Sequence, residues 1–518
     1  MNDLRGGRPN DTPTGRRSHA PFRIGLAWSV VLVVVAAALG AAAVLWVVWR
    51  AAGEPRIEQI DILSIATTFD ALKFAGGLVI GVGGSVALVV AYRKQHLGEA
   101  EHRRQEQSAA RDQTRLFNER FARASDQIGS DRPAIRLAGV YSMAGLADDW
   151  SKGRQSCIDV LCAYLRMPYR PNGQIPSLKG KYRGRPRPWE VLNWGDQSER
   201  DTMGSASEAQ VRSSVVQILR ERLWEGAHVS WNGAFLDFTG AVFEDESFDG
   251  ADFTDCNVRF DDCLFLGECG FSETTWRRSV GSFLGAVYAG RLGFEYSIID
   301  ESEITLYGDF VDGTDINFQG VVLKSGSLRT LGPRGSGGSI SFVESDLSGG
   351  TLQISGPKMT KDSSIAFSRS ILSGTEVVLE GGEYLAGHIW CNGMSIAGGS
   401  FAISAIPWSR EPVKLAGTEL AVDDARVTGG EFALRGVEIS GSDVHLDQLE
   451  MTGGRLDLSS CTLSSGNLSF SKPVISDGEL VVPAGAAPGP MTDAVLVLRD
   501  SGIRTTRTPP DGGFTDSG

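Results

Sequence analysis

Two long apolar runs open the chain. From Ile24 to Trp49, 26 residues pass without an ionisable side chain, and a second uninterrupted run extends from Phe74 to Tyr92. Either can cross a bilayer core, which takes roughly 20 helical residues, and Trp28, Trp46 and Trp49 sit where interfacial aromatics belong. The pattern predicts a basic tail (1–23), a transmembrane helix (24–49), a short external loop (50–72) and a second transmembrane helix (73–92). Arg5, Arg8, Arg16, Arg17 and Arg23 precede the first span, and Arg93, Lys94, Arg103 and Arg104 follow the second. The positive-inside rule therefore places both ends in the cytoplasm. A cleaved signal peptide is the rival reading of the first run, which is too long for an h-region. In the second run Gly77, Gly81 and Ser85 recur every four residues, so a neighbouring backbone can approach closely. That neighbour is as readily the first span as a second copy of the chain.

Residues 93–230 read as a solvated helical stalk followed by a small helical adaptor. Phe117, Phe121, Ala124 and Ile128 share one helical face, Asp131 and Pro133 mark a stop and restart, and two further helices follow through Ala144 and through Leu165. Val211 to Trp224 predicts another. Between them Lys179, Lys181, Arg183, Arg185 and Arg187 alternate along the chain, which in an extended segment aligns their charges toward phosphate or anionic lipid. A solvated basic loop is the plainer reading.

A different clock starts near residue 231. Phe238, Phe243, Phe248, Phe253 and Val258 recur every five residues, with Leu236, Ala241, Glu246, Ala251 and Cys256 two positions before them. Residues 231–278, with GAVFE and GADFT as the cleanest units, resemble the pentapeptide-repeat family. The resemblance implies a four-sided, right-handed parallel β-helix. Upstream, ERFARASDQIGSDRPAIRLAGVYSMAGLADD and CIDVLCAYLRMPY resemble the helical segment preceding such repeats in two-span membrane proteins of high-GC, actinobacterial-type bacteria. The family implies no established activity, although some members imitate DNA and inhibit a topoisomerase.

From about residue 279 to 483 the period becomes twelve. Leu292, Ile304, Ile316, Leu328, Ile340 and Leu352 are followed, after one added residue, by Ile365, Val377, Ile389 and Phe401. After an insertion containing PWSREP the series resumes with Leu420, Phe432, Val444, Leu456, Leu468 and Leu480. Apolar residues also recur at +2 and +7, small ones at +5, and glycine at −3 or −2. Each unit thus encodes two short strands joined by glycine corners, and units can bury their apolar sides by stacking. The expectation is a β-solenoid with two units, 24 residues, per coil; an antiparallel sandwich would not need so strict a clock. Residues 484–518, rich in Gly, Pro, Thr and Asp, read as a mostly disordered tail.

Charge sharpens this division. The whole chain carries −13, but residues 231–518 hold 19 Lys and Arg against 40 Asp and Glu, a net of −21. Such a body repels nucleic acid and anionic lipid unless it imitates them. The seven cysteines have no paired spacing and read as core thiols of a reducing compartment. The adjacent carboxylates Asp148–Asp149, Asp261–Asp262 and Asp423–Asp424 alternate direction in an extended chain and form no acid–base pair. No histidine or cysteine spacing suits a metal, and no phosphate-binding glycine motif occurs.

The fold class expected is therefore membrane α plus all-β: two N-terminal transmembrane helices, a small helical domain, then a parallel β-helix of pentapeptide-like and 12-residue repeats. The expected role is a non-enzymatic scaffold without cofactor or metal. It lies in a bacterial inner membrane and meets a protein partner rather than nucleic acid. A DNA-mimicking inhibitor is the alternative, and an extracellular polysaccharide-active β-helix the lesser one.

Overall fold

The computed structural model describes residues 65–171, 199–333, 337–406, 411–470, 473–481 and 494–498, with scattered positions between 35 and 50. The chain divides into two compact units, Met1–Arg115 and Leu116–Gly518. Helix α1, Ile65–Ile128, begins in the first. Among the described residues no helix is long and apolar enough to cross a membrane. The first expected span lies mostly outside the described residues. The second is helical within α1, but its side chains are described only in part. The end of the expected external loop, the second span and the stalk form one helix, because no proline interrupts 65–128 and the stalk is rich in strong helix formers.

In the second unit the chain restarts as expected at Pro133, the first residue of α2 (Pro133–Asp149), followed by α3 (Arg154–Leu165) and α4 (Glu199–Arg222). Helix α4 starts well before the apolar segment that predicted it. The helices bury Val140, Met143, Ala144, Cys157, Leu161, Val215 and Leu219 against one another and against the solenoid, as one continuous core.

The repeat body is a parallel β-solenoid whose described strands form sheets of 18 and 15 strands. Leu236, Val258, Gly281, Ile304, Leu328, Leu352, Val377, Phe401, Phe432, Leu456 and Leu480 stand in one ladder. Cys269, Leu292, Ile316, Ile340, Ile365, Ile389, Leu420, Val444 and Leu468 form the ladder of the other sheet. The sixteen template positions thus alternate between the sheets, two units per coil. A coil takes 24 residues between Ile304 and Leu328, 25 where one residue is added, and 31 across the PWSREP insertion.

The pentapeptide-like section belongs to the same solenoid, and here the expectation needs correcting. Four five-residue sides would close in 20 residues, whereas the first coil takes 22, placing Val258 over Leu236. Phe260, not Val258, stacks on Phe238, with ring centroids 5.0 Å apart. The side from Phe253 to Phe260 is longer than the others, so the five-residue clock runs once around a coil and then slips. That slip explains why the pattern fades after Phe260.

Aromatic stacking continues through the solenoid. Phe248, Phe271, Phe294, Phe318, Phe342 and Phe367 form a column with successive centroids 4.7–5.3 Å apart and nearly parallel rings. Small residues at +5 sit beside this column for a reason. The hydroxyls of Ser297, Ser345 and Ser370 donate to the carbonyls of Phe271, Phe318 and Phe342 at 2.8, 3.0 and 2.5 Å, which satisfies polar groups inside the core.

Two of the positive-φ corners recur along most of the solenoid. At −2 of alternate units, Gly326, Gly350, Gly399, Gly430, Gly454 and Gly478 have positive φ, as expected for the glycine signal. A second corner was not legible as glycine: Gly250, Glu273, Tyr296, Gly320, Glu344, Arg369, Gly393, Asp424 and Gln448 all hold φ between 56° and 73°. The expected tail contributes the strand Ala494–Leu498, paired with Gly466–Phe470.

Candidate functional site

The first coil is covered by the helices. Gln155 of α3 serves both backbone groups of Phe235, accepting its N–H at 3.1 Å and donating to its carbonyl at 2.7 Å. Arg166 pairs with Asp237 at 2.6 Å, while Asp148 receives both Arg222 at 3.1 Å and the Trp231 indole N–H at 2.9 Å. Such a cap blunts an edge strand that would otherwise invite pairing with another chain.

Arg212 is the centre of this contact. It is 3% exposed and donates to the carbonyls of Tyr164 and Leu165, at the end of α3, and to Val242 of the first coil. The C-terminal carbonyls of a helix favour a cation. The guanidinium also lies 4.5 Å from the centre of the Tyr169 ring, whose hydroxyl donates to Glu244 at 2.9 Å. Burial still lowers the Arg212 pKa, opposed by Glu208, Tyr169, Tyr164 and Glu246. On the same first coil, burial raises Glu246 to about 7 against the pull of Ser213 and Arg212, with Asp245 and Glu244 adding to the rise. The cavity here, lined by Arg212, Tyr169, Glu244 and Glu246, measures about 20 Å³, room for one water and no larger ligand. Beside it Val242, Leu264, Leu266 and Val287 form a second apolar cluster with Tyr169, packed by Ala209 of α4.

Beyond the cap, the outer surface is a charge ladder. Arg278 bridges to Asp255 at 2.7 Å, Arg369 to Glu344 at 2.6 Å and Arg426 to Glu450 at 2.9 Å, each pair linking neighbouring coils. On the last coils Arg455 reaches Asp457 and Glu479, while Arg435 spans to Glu431 across Ala433. The adjacent carboxylates have structural duties. Asp261 accepts the Leu284 N–H and Asp423 the Asp447 N–H, while Asp262 and Asp424 occupy positive-φ corners.

Among the described residues no group of side chains could hold a metal ion. The cysteines are all buried and free. Desolvation pushes Cys157 and Cys256 up to about 11, and Cys162, Cys269 and Cys461 to about 12, so they remain unreactive thiols. Of the residues singled out earlier, Gly77 and Gly81 are exposed on α1, and a Cβ on either would meet no described atom within 4 Å. The Ser85 side chain and the segment from Lys179 to Arg187 lie outside the described residues.

The residues that organise the cap were missed in sequence, although two signals existed. Arg212 interrupts the apolar stripe of α4 between Val211 and Val215. Leu264, Phe265 and Leu266 are consecutive apolar residues, the mark of a strand buried on both faces.

The fold defines a parallel β-solenoid repeat protein with a helical cap, compatible with a pentapeptide-repeat β-helix. Comparison with family models, curated proteins and solved structures finds no match.

Proposed function

We propose that the chain is a membrane-anchored, non-enzymatic scaffold that presents its acidic solenoid on the cytoplasmic side of a bacterial inner membrane. The observation that carries this reading is the constant register of outward positions. Glu376, Ser400, Glu431, Arg455 and Glu479 occupy successive rungs of one sheet, and Ser364, His388 and Glu419 those of the other. Such ladders, about 4.8 Å per rung, suit an extended protein partner. Interleaved arginines favour this over imitation of DNA, which needs unbroken rows of negative charge. Anchoring rests on the two apolar runs and their flanking arginines, and on the resemblance to two-span proteins of actinobacterial type.

The test is a Thr351→Cys variant, placed on an exposed outward rung while the native thiols stay buried. A membrane-impermeant maleimide should label it only after cells are permeabilised, and the chain should resist alkaline extraction from membranes. Labelling in intact cells would overturn the cytoplasmic placement, and extraction into the soluble fraction would overturn the anchor.

A further inference from the structure

Where α4 ends against the solenoid, a groove opens. Trp224 bridges to Ala251 and is 53% exposed. Its ring lies so close over Gly250, at φ +73°, that a Cβ there would collide with the indole. One side of the indole is therefore seated on backbone while much of the side chain meets solvent. The rest of the groove is Arg220 and Glu221 from the helix and Asp249, Ser272 and Glu273 from the first two coils.

The charge around the indole is unequal. Glu221, Asp249 and Glu273 line the groove with Arg220, Glu221 being paired with Arg222 at 3.3 Å, and residues 231–315, which include these coils, hold 18 Asp and Glu against four Arg. Asp249 is held in place by the Ser272 N–H, which donates to it at 2.7 Å. Glu273 is exposed at a positive-φ corner, and no ion pair with it occurs among the described residues. An indole face attracts a cation through its quadrupole, and carboxylates beside it can take charge-assisted hydrogen bonds from the same group.

We propose that this groove binds an arginine or lysine side chain of a partner protein, seated over Trp224 and hydrogen-bonded by Glu273 and Asp249. The proposal deepens the scaffold reading and rests on it. It names the chemistry of the partner: a basic, extended segment, in keeping with the negative first coils. An anionic ligand for Arg220 would have to approach past the three carboxylates.

The experiment is fluorescence polarisation of a labelled peptide of alternating glycine and arginine, titrated with the full chain in detergent micelles. A glycine–glutamate peptide serves as control. Binding of the arginine peptide alone is expected, weakening with added salt. Trp224→Leu and Glu273→Gln should each lower affinity about fivefold or more, while Asp477→Asn, exposed at the far end of the solenoid, changes nothing. Glu273 is exposed, so its variant reports even if the Trp224 variant folds poorly. No binding, or equal losses in all three variants, would overturn the groove. So would binding that emerges only when Lys179, Lys181, Arg183, Arg185 and Arg187 are changed to glutamine, since the occupant would then be the chain's own basic segment. The Thr351→Cys labelling does not use the groove, so the scaffold reading is judged separately.

Discussion

Gln155 and Phe235 exchange two hydrogen bonds, amide to backbone, so that one side chain occupies both positions a preceding coil would fill. Every later coil receives these bonds from its neighbour; the first receives them from a helix. Gln155→Ala should cost about 1–2 kcal/mol in urea unfolding, because a donor and an acceptor on an edge strand lose their partner. Hydrogen exchange at the Phe235 amide should accelerate, while amides near Leu456 remain protected. Unchanged exchange at Phe235 would show that the edge is held by something else.

Arg212 joins two helices to the first coil through three carbonyls. Replacing it with methionine keeps the bulk but leaves those acceptors unpaired in a buried site. A loss of roughly 2–4 kcal/mol is expected, with near-ultraviolet circular dichroism reporting loosening of the cap. A variant as stable as the parent would show that apolar packing alone holds the cap.

Glu246 makes stability depend on pH. Burial raises its folded pKa from 4.5 to about 7, so the folded protein holds a proton that the unfolded chain releases more readily. Its contribution is fully present below the unfolded pKa and is lost as pH rises through about 7, by at most about 3 kcal/mol. Urea midpoints measured at pH 5 and 8.5 should differ more in the parent than in Glu246→Gln. Equal differences would remove Glu246 as the cause.

The two corner types predict opposite responses to substitution. At Gly430, φ is +74° and a Cβ would strike the Gly399 carbonyl, so Gly430→Ala should cost roughly 2–4 kcal/mol. At Gln448, φ is +56° with a side chain already in place, so Gln448→Gly should change stability by less than about 1 kcal/mol. Thermal melts of the two variants decide the point.

Much of the solenoid was legible because its core is periodic. Ile304, Leu328 and Leu352 lie two units apart in sequence and one coil apart in space, so a count along the chain is a measurement along the axis. Both re-registrations, after Leu352 and after Phe401, recur as longer coils at those places. The five-residue section misled because five apolar positions in a row define a period but not where a coil closes. Closure depends on the long side from Phe253 to Phe260, on which Val258 keeps the five-residue beat but stands over Leu236, leaving Phe260 to stack on Phe238. The corner through Glu344, Arg369 and Gln448 was hidden for a related reason: where a Cβ meets no backbone, the left-handed conformation leaves no glycine signature.

By itself the sequence determined the parallel solenoid, its two units per coil, its inward residues and the acidic balance of its surface. Those properties follow from alternation and repetition, which act between near neighbours in the chain. Tertiary structure alone decided how the stack begins. Gln155 meets Phe235, and Arg212 meets Val242, across 80 and 30 residues. Such single contacts have no period to announce them; they arise where a non-repeating helix must satisfy the unpaired backbone of the first coil.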